Sequence, residues 1–154
     1  MSENIIESFA DLALSQGTLE ILEKRSYLKP TPIQALVIPK LLTEECDLIA
    51  QAQTGTGKTA AYALPIIEKL LPDGKQKHPG AIVLAPTREL AMQIAQEIGQ
   101  FIGNRELKAV TVYGGQPIDI QLRALKGGSD IIVGTPGRVI DLMERNALKL
   151  DNIK

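Results

Sequence analysis

The stretch Ala52-Gln53-Thr54-Gly55-Thr56-Gly57-Lys58-Thr59 decides how this sequence of 154 residues is interpreted. It follows an apolar run at 48–50, which predicts a strand over 47–51, and it opens a helix-compatible stretch near Lys58. Its two glycines let backbone N–H groups approach an anion without hindrance from a Cβ atom. The lysine adds a point charge, the final threonine a hydroxyl that can hold Mg²⁺, and the helix N-terminus its dipole. The pattern predicts a loop that binds the phosphates of ATP or GTP.

The loop alone does not show which ligand it binds or which reaction it serves. Ala52 stands where the strict phosphate-loop pattern has a glycine, and a glycine turn that happens to carry Lys58 is the alternative interpretation. A phosphate loop would also serve a kinase or another nucleoside triphosphatase. Other parts of the sequence must therefore identify the reaction.

The composition is that of one domain with an apolar core, since 44% of the residues are hydrophobic. The single cysteine, Cys46, excludes an internal disulfide and suits a reducing compartment. No apolar run approaches the roughly 20 residues that span a bilayer. The first four residues are polar and acidic, unlike the basic start of a signal peptide. We therefore expect a cytoplasmic protein with no membrane partner.

The charge is unevenly distributed along the chain, although its net value is only −1. Residues 1–74 carry 6 basic and 10 acidic side chains, whereas residues 75–154 carry 11 and 8. This difference predicts a weakly basic face in the second half, and solvated surface charges would produce the same difference.

Apolar periodicity predicts strands that alternate with helices after the loop. Upstream of the loop, residues 14–25 and 32–42 have the apolar spacing of helices. Downstream, the predicted strands are 81–85, 109–113 and 130–133, and the predicted helices are 87–102, 117–126 and 136–145. Continuous apolar strands between helices indicate an α/β fold, a parallel sheet between two helical layers in a three-layer αβα arrangement. Ligands of such sheets bind at the carboxyl ends of the strands.

Two of these strand ends share a design. Ala85-Pro86-Thr87-Arg88-Glu89-Leu90 and Gly134-Thr135-Pro136-Gly137-Arg138 each leave a strand and begin a helix at a threonine, which suits an N-cap. Each presents free backbone N–H groups with an arginine beside them. Several such sites along one edge suit the phosphates of a nucleic-acid backbone. Ordinary helix capping with exposed arginines is the alternative, and spacing alone does not decide between the two.

Five motifs occur in one order along the chain: Pro30-Thr31-Pro32-Ile33-Gln34, the loop 52–59, Pro86-Thr87-Arg88-Glu89-Leu90, Gly114-Gly115 and Thr135-Pro136-Gly137-Arg138. In these motifs the sequence, from about Phe9 to its last residue, resembles the first RecA-like domain of bacterial-type DEAD-box ATP-dependent RNA helicases. The resemblance implies a RecA-like P-loop NTPase fold and ATP-driven local unwinding of RNA. It accounts for Ala52, which is usual in that family, whereas a kinase would not account for Gln34. Residues 1–35 would form the adenine-recognition (Q-motif) region and residues 36–154 part of the first RecA-like domain.

The same resemblance implies an ATP site. Gln34 matches the family's adenine-reading glutamine, Tyr27 the aromatic that stacks on the base, and Phe9 an isolated upstream aromatic. Ser26 departs from the family, which usually has glycine before that aromatic. Lys58 and Thr59 are the expected catalytic residues, with the threonine hydroxyl as the ligand of the Mg²⁺ that accompanies ATP. The expected ATP-binding residues are Phe9, Tyr27, Gln34, Ala52, Gln53, Thr54, Gly55, Thr56, Gly57, Lys58 and Thr59.

The remaining motifs match the family's contacts to the RNA sugar-phosphate backbone, which imply little sequence preference and, through the 2′-hydroxyls, a preference for RNA. The expected RNA-binding residues are Pro86, Thr87, Arg88, Gly114, Gly115, Thr135, Pro136, Gly137 and Arg138.

The family's Asp-Glu-Ala-Asp motif does not occur in these 154 residues, nor does its Ser-Ala-Thr motif. We therefore expect a chain truncated before the Asp-Glu-Ala-Asp motif, with a sheet incomplete at its C-terminal end. The expected partners are RNA and a second RecA-like domain, which supplies an arginine finger in that family. The sequence predicts the first motor domain of an ATP-dependent RNA helicase, inactive by itself. The alternative is a non-catalytic fragment that binds nucleotide or RNA.

Overall fold

The computed structural model describes residues 6–74 and 76–154. The chain forms two compact units, Met1–Lys69 and Leu70–Lys154. This division differs from the functional division into 1–35 and 36–154, which stays a prediction. None of the helices in the described residues is both long enough and apolar enough to cross a membrane.

The first unit is helical where it is regular. A short 3-10 helix, Phe9–Leu12, precedes helices α1 (Gln16–Lys24) and α2 (Pro32–Thr43), and helix α3 (Lys58–Leu70) follows the loop. Helices α1 and α2 confirm the helices that apolar spacing predicts over 14–25 and 32–42. Each begins at a capping residue: a serine hydroxyl accepts a backbone N–H at the start of α1, and a threonine and a glutamine form a capping box at the start of α2.

Helix α1 ends in a Schellman motif. The N–H of Tyr27 donates to the carbonyl of Leu22, and the N–H of Ser26 donates to that of Glu23, both at 2.9 Å. This arrangement requires a left-handed residue between the helix and the tyrosine, and Ser26 has φ 60°. A serine therefore makes the turn at which the resemblance implies a glycine.

The predicted strand at 47–51 is wrong. These residues form no regular element, and among the residues that the structure describes none pairs with them in a sheet. The side chain of Ile49 is 99% exposed, and that of Leu48 is 37% exposed. An apolar run becomes a stable strand only when another strand satisfies its backbone groups, so periodicity alone does not suffice here.

The second unit contains a three-stranded parallel sheet. Its strands are β1 (Ala81–Leu84), β2 (Ala109–Val112) and β3 (Ile131–Gly134), in the order β1-β3-β2. Helices α4 (Arg88–Ile102), α5 (Ile118–Lys126) and α6 (Pro136–Glu144) follow the strands in turn. Ile131 lies beside both Ala81 and Ala109, so the three strands end together. Each element lies within two residues of its predicted bounds.

The central strand β3 is buried along its whole length. Its last residue, Gly134, packs so closely that an added Cβ would lie 2.5 Å from Cγ2 and 2.7 Å from the carbonyl oxygen of Val112. Around the strand lies an apolar core from β2, α5 and α6. The core residues are Val110, Val112, Leu125, Ile132, Val139, Leu142 and Leu148. This packing fixes the carboxyl ends of the strands, where the predicted motifs lie.

Candidate functional site

The loop 52–57 leads directly into α3, which begins at Lys58. Gly55 and Gly57 have φ 78° and 80°, in the left-handed region that favours glycine. The Nζ atom of Lys58 reaches across the loop and donates to the carbonyl oxygens of Ala52 and, at 3.0 Å, of Gln53. The predicted loop and helix start are thus confirmed, and the cationic side chain contacts two backbone carbonyl oxygens at the start of the loop.

A buried glutamine ties this loop to the start of α2. The side chain of Gln34 is 1% exposed; its Oε1 accepts the N–H of Thr31 at 3.0 Å, and its Nε2 donates to the carbonyl oxygen of Gly57 at 3.1 Å. The Thr31 hydroxyl also donates to the carbonyl oxygen of Thr56 at 2.8 Å. Two side chains of one helix N-terminus therefore hold the last two loop residues before Lys58.

The two aromatic residues predicted at the ATP site contact each other. The rings of Phe9 and Tyr27 lie 6.3 Å apart between centroids and are inclined at 63°, an edge-to-face arrangement. Phe9 is 4% exposed, whereas Tyr27 is half-buried. The geometry gives Phe9 the part of a core residue that supports the Tyr27 ring.

In the second unit, residues 86–88 are exposed at the carboxyl end of β1. Thr87 caps α4, because its hydroxyl accepts the N–H of Leu90 at 3.3 Å. The guanidinium of Arg88 lies 6.0 Å from the centre of the Tyr113 ring. Its Nη1 also lies 3.7 Å from the position that a Cβ would take at Gly115. The structure therefore brings the arginine of one predicted motif to the Gly114-Gly115 turn of another.

The other predicted arginine faces inward. The Arg138 side chain is only 14% exposed, and its Nη1 and Nη2 both donate to the carbonyl oxygen of Gln116 at 3.3 Å. Its Nε lies 3.8 Å from a carboxylate oxygen of Asp141. Asp141 also binds Arg145 at 2.7 Å, and this hydrogen bond, aided by the charge attraction, raises the pKa of the Arg145 side chain. Arg138 thus holds the loop after β2 through the carbonyl oxygen of Gln116.

Threonine 135, the remaining predicted N-cap, connects the same region to the sheet. Its N–H donates to the carbonyl oxygen of Val112 at 3.0 Å, and Pro136 occupies the first position of α6. Pro136 and Gly137 are exposed. The four strand-end motif residues Arg88, Gly115, Thr135 and Arg138 therefore belong to adjoining turns at one end of the sheet.

Sequence reasoning missed three residues of this region: Tyr113, Gln116 and Gln121. Gln121 is 2% exposed, and its Nε2 donates to the carbonyl oxygen of Tyr113 at 2.9 Å and to Oε1 of Gln116 at 3.0 Å. A signal was present in the sequence, because position 121 lies on the apolar face of α5, one turn from Leu125. A glutamine on such a face needs a buried partner.

The model of the DEAD/DEAH box helicase family matches residues 31–154. The chain belongs to this family. The matched range starts in the Thr31–Gln34 capping box and includes the loop and every strand-end motif of this chain. The predicted RecA-like fold is confirmed by a solved relative, a DEAD box protein from the hyperthermophile Methanococcus jannaschii. Its structure matches 96% of this chain with a TM-score of 0.89 and 44% sequence identity.

Two further relatives also match the chain. RNA helicase CrhR of Synechocystis sp. (strain ATCC 27184 / PCC 6803 / Kazusa) is 47% identical over all 154 residues. S. cerevisiae Dbp5, solved bound to RNA and ADP BeF3, matches 96% of the chain with a TM-score of 0.82 and 33% identity. The chain spans 30% of CrhR, 40% of the Methanococcus jannaschii protein and 37% of Dbp5.

Proposed function

We propose that this chain forms part of the first motor domain of an ATP-dependent RNA helicase, residues 1–35 forming its adenine-recognition region and 36–154 part of its RecA-like domain. The observation that carries the proposal is the loop at 52–57, spanned by Lys58 and held by Gln34. The Gln34 contact and the positive φ of both glycines hold the loop in one conformation at the start of α3.

The loop fits the triphosphate of ATP. Positive φ at both glycines turns the backbone as phosphate loops require, and α3 begins where its dipole favours an anion. Lys58 would exchange its two carbonyl partners for phosphate oxygens, and the Thr59 hydroxyl would hold Mg²⁺, which neutralises phosphate charge when bound. In the described ranges no cluster of three or more His, Cys, Asp or Glu could hold a metal by itself. A metal brought by the nucleotide suits this arrangement. The ADP BeF3 bound to Dbp5 supports the nucleotide site.

The adenine base would lie against Tyr27, with Gln34 reading its edge. A glutamine amide has two donor hydrogens and two acceptor lone pairs, and the contacts to Gly57 and Thr31 use one of each. One donor and one acceptor remain, the complement that the edge of adenine needs. The edge contact with Phe9 would hold the Tyr27 ring for stacking.

The RNA sugar-phosphate backbone would lie along the exposed turns of the second unit. Arg88 is half exposed, its guanidinium lies beside the Gly114-Gly115 turn, and the start of α6 at Pro136 and Gly137 is open. Backbone N–H groups and one exposed guanidinium suit phosphates rather than base edges. The RNA bound to Dbp5 is consistent with this assignment.

The activity of the whole protein would require a second RecA-like domain, which would close on ATP and RNA and separate a short duplex locally.

The exposed, unpaired Cys46 suits the cytoplasm, where we place the protein. The alternative function is that of a non-catalytic fragment: the chain as it stands would bind nucleotide or RNA without turnover.

RNA-stimulated phosphate release by the complete two-domain protein tests the proposal. We expect Lys58→Ala to reduce turnover at least 100-fold, because phosphoryl transfer depends on charge stabilisation at the phosphates. Lys69→Ala, which removes an exposed lysine from the last turn of the same helix, is the matched control and should turn over normally. Turnover that is unaffected by loss of Lys58 would refute the proposal.

A further inference from the structure

The turn after β2 is held from two sides by side chains of different helices. The carbonyl oxygen of Tyr113, at its start, accepts a hydrogen bond from Gln121 of α5. The carbonyl oxygen of Gln116, at its end, accepts two from Arg138 of α6. The four residues 113–116 therefore have an anchor at each end, while Gly114 and Gly115 between them are exposed.

Gln121 serves both ends of this turn at once. Its two N–H groups bond to the main chain of Tyr113 and, at 3.0 Å, to the side chain of Gln116, so a single amide joins the first and last residues. The residue is 2% exposed and lies on a face of α5 that is otherwise apolar. Burying an amide there is unfavourable unless its hydrogen bonds are needed.

The same amide leaves its oxygen unsatisfied. Within the ranges that the structure describes, Oε1 of Gln121 is buried and has no protein hydrogen-bond partner. A leucine of similar size would avoid this cost and would suit the apolar face better. The two donated hydrogen bonds are thus the contribution that glutamine makes at this position and leucine does not.

The conformation of this turn matters because Gly115 adopts φ 82° and lies next to the Arg88 guanidinium. A turn with two adjacent glycines has little intrinsic conformational preference, since glycine populates both signs of φ. Without anchors, the backbone N–H groups of the turn would sample many orientations before binding a phosphate. Holding both ends removes that entropy cost before RNA arrives.

We infer that Gln121 is a positioning residue for RNA binding: it fixes the Gly114-Gly115 turn through the Tyr113 carbonyl and the Gln116 side chain, and Arg138 completes the clamp. The inference rests on the proposed function, because it assigns the turn to the RNA backbone. It adds to that function a residue of α5 that touches neither nucleotide nor RNA.

The test compares Gln121→Leu with Leu125→Ala in the complete protein. Gln121→Leu removes both donors and the unsatisfied oxygen, so the melting temperature should change little. The affinity for a single-stranded RNA, measured by fluorescence anisotropy, should fall about 10-fold, while the affinity for a fluorescent ATP analogue stays constant. Leu125→Ala, one turn along the same buried face, should lower the melting temperature. Its RNA affinity, measured well below that melting temperature, should be unchanged.

Amide hydrogen exchange in the absence of RNA gives an independent measure. Exchange at residues 114–116 should speed up in Gln121→Leu and not in Leu125→Ala. Gln116→Ala removes only the side-chain contact, so its effect on both measures should be smaller, and combining it with Gln121→Leu should add nothing.

Wild-type RNA affinity in Gln121→Leu, or equal loss in Leu125→Ala, would overturn the inference. Failure of the wild-type protein to bind RNA would refute the proposed function, and the RNA-binding part of the inference with it. In that case hydrogen exchange would still decide whether Gln121 holds the turn.

Discussion

The side-chain amide of Gln34 donates a hydrogen bond to the carbonyl oxygen of Gly57, immediately before Lys58 begins α3. The contact joins residues 23 positions apart in the chain. A Cβ atom at position 57 would force this amide to move, because an ideal Cβ there would overlap Nε2 of Gln34 and lie 3.2 Å from its Cδ. Glycine is therefore favoured at this position both by its φ of 80° and by the hydrogen-bonded amide beside it.

Gly57→Ala should weaken ATP-analogue binding more than Gly55→Ala does. Both positions have a left-handed φ, so alanine costs about 1–2 kcal/mol at either. At position 57 the overlap with Gln34 adds about 1–3 kcal/mol, whereas position 55 has open space around it. Titration with a fluorescent ATP analogue and thermal melting measure the two effects.

Truncating the neighbour should offset part of the loss in this variant. In the double variant Gly57→Ala with Gln34→Ala the overlap is gone, although the hydrogen bonds of Gln34 are lost as well. The fall in melting temperature should therefore be smaller than the sum of the falls in the two single variants. Equal behaviour of Gly55→Ala and Gly57→Ala would show that the Gln34 contact does not constrain the loop.

Gln34→Ala should reduce the preference for ATP over GTP. If the amide reads adenine through two hydrogen bonds, at about 1 kcal/mol each, ATP affinity should fall at least 10-fold relative to GTP affinity. The matched variant is Thr31→Val, which removes the hydroxyl contact to Thr56 and should weaken both nucleotides equally. Competition binding with the two nucleotides measures the ratio, and a ratio unchanged by Gln34→Ala would argue against base reading.

Arg88→Ala should weaken RNA binding to a similar extent for all sequences. A phosphate contact carries no base information, so the slope of log affinity against log salt should become shallower by about 1. Arg123→Ala removes the same charge from an exposed position on α5 and should have little effect. Anisotropy titrations of several RNA sequences at increasing salt provide the measurement, and a strongly sequence-dependent loss would contradict backbone recognition.

Ser26→Gly should stabilise the protein. Ser26 holds the left-handed position of the Schellman motif at φ 60°, where a Cβ atom costs about 1 kcal/mol or more. Relief of this strain should raise the melting temperature by about 2–4 °C.

Asn146→Gly is the comparison for this change, since Asn146 occupies the same position after α6 with φ 55°. Asparagine tolerates this conformation better than serine, so the gain from Asn146→Gly should be smaller. A melting temperature lowered by Ser26→Gly would show that the serine side chain makes a contribution that outweighs the strain.

The chain of 154 residues, by itself, should release no phosphate from ATP above background. No residue in it matches the family's metal-binding Asp or water-positioning Glu, and the arginine finger lies in the second domain in that family. Nucleotide binding can persist where hydrolysis does not. Phosphate release by this chain and by the complete protein, with and without RNA, measures the difference; turnover by the chain that depends on Lys58 would mean that the catalytic groups lie within it.

The sequence predicted the regular elements well because the signals for them are local. A stripe of apolar residues and an N-cap threonine specify α4 with little help from the rest of the chain, and the bounds differ by one residue. The strand at 47–51 failed for the opposite reason, since strand formation depends on a neighbour that no local pattern reveals.

The candidate site divides in the same way. The loop and the start of α3 followed from glycine spacing and a lysine, whereas the burial of Arg138 and the clamp through Gln121 depend on which elements pack together. Both arginines stand beside a helix start in the sequence. Only the tertiary structure distinguishes the exposed Arg88 from the inward Arg138.

The sheet order β1-β3-β2 also determines how this unit can be assembled during synthesis. The first two strands to emerge from the ribosome never pair with each other, because the third lies between them. The edges of β1 and β2 that pair with β3 therefore remain open until Ile131–Gly134 has been made, some twenty residues after β2. A nascent chain arrested before that strand would expose two apolar strand edges, the state most prone to aggregation or to binding a chaperone.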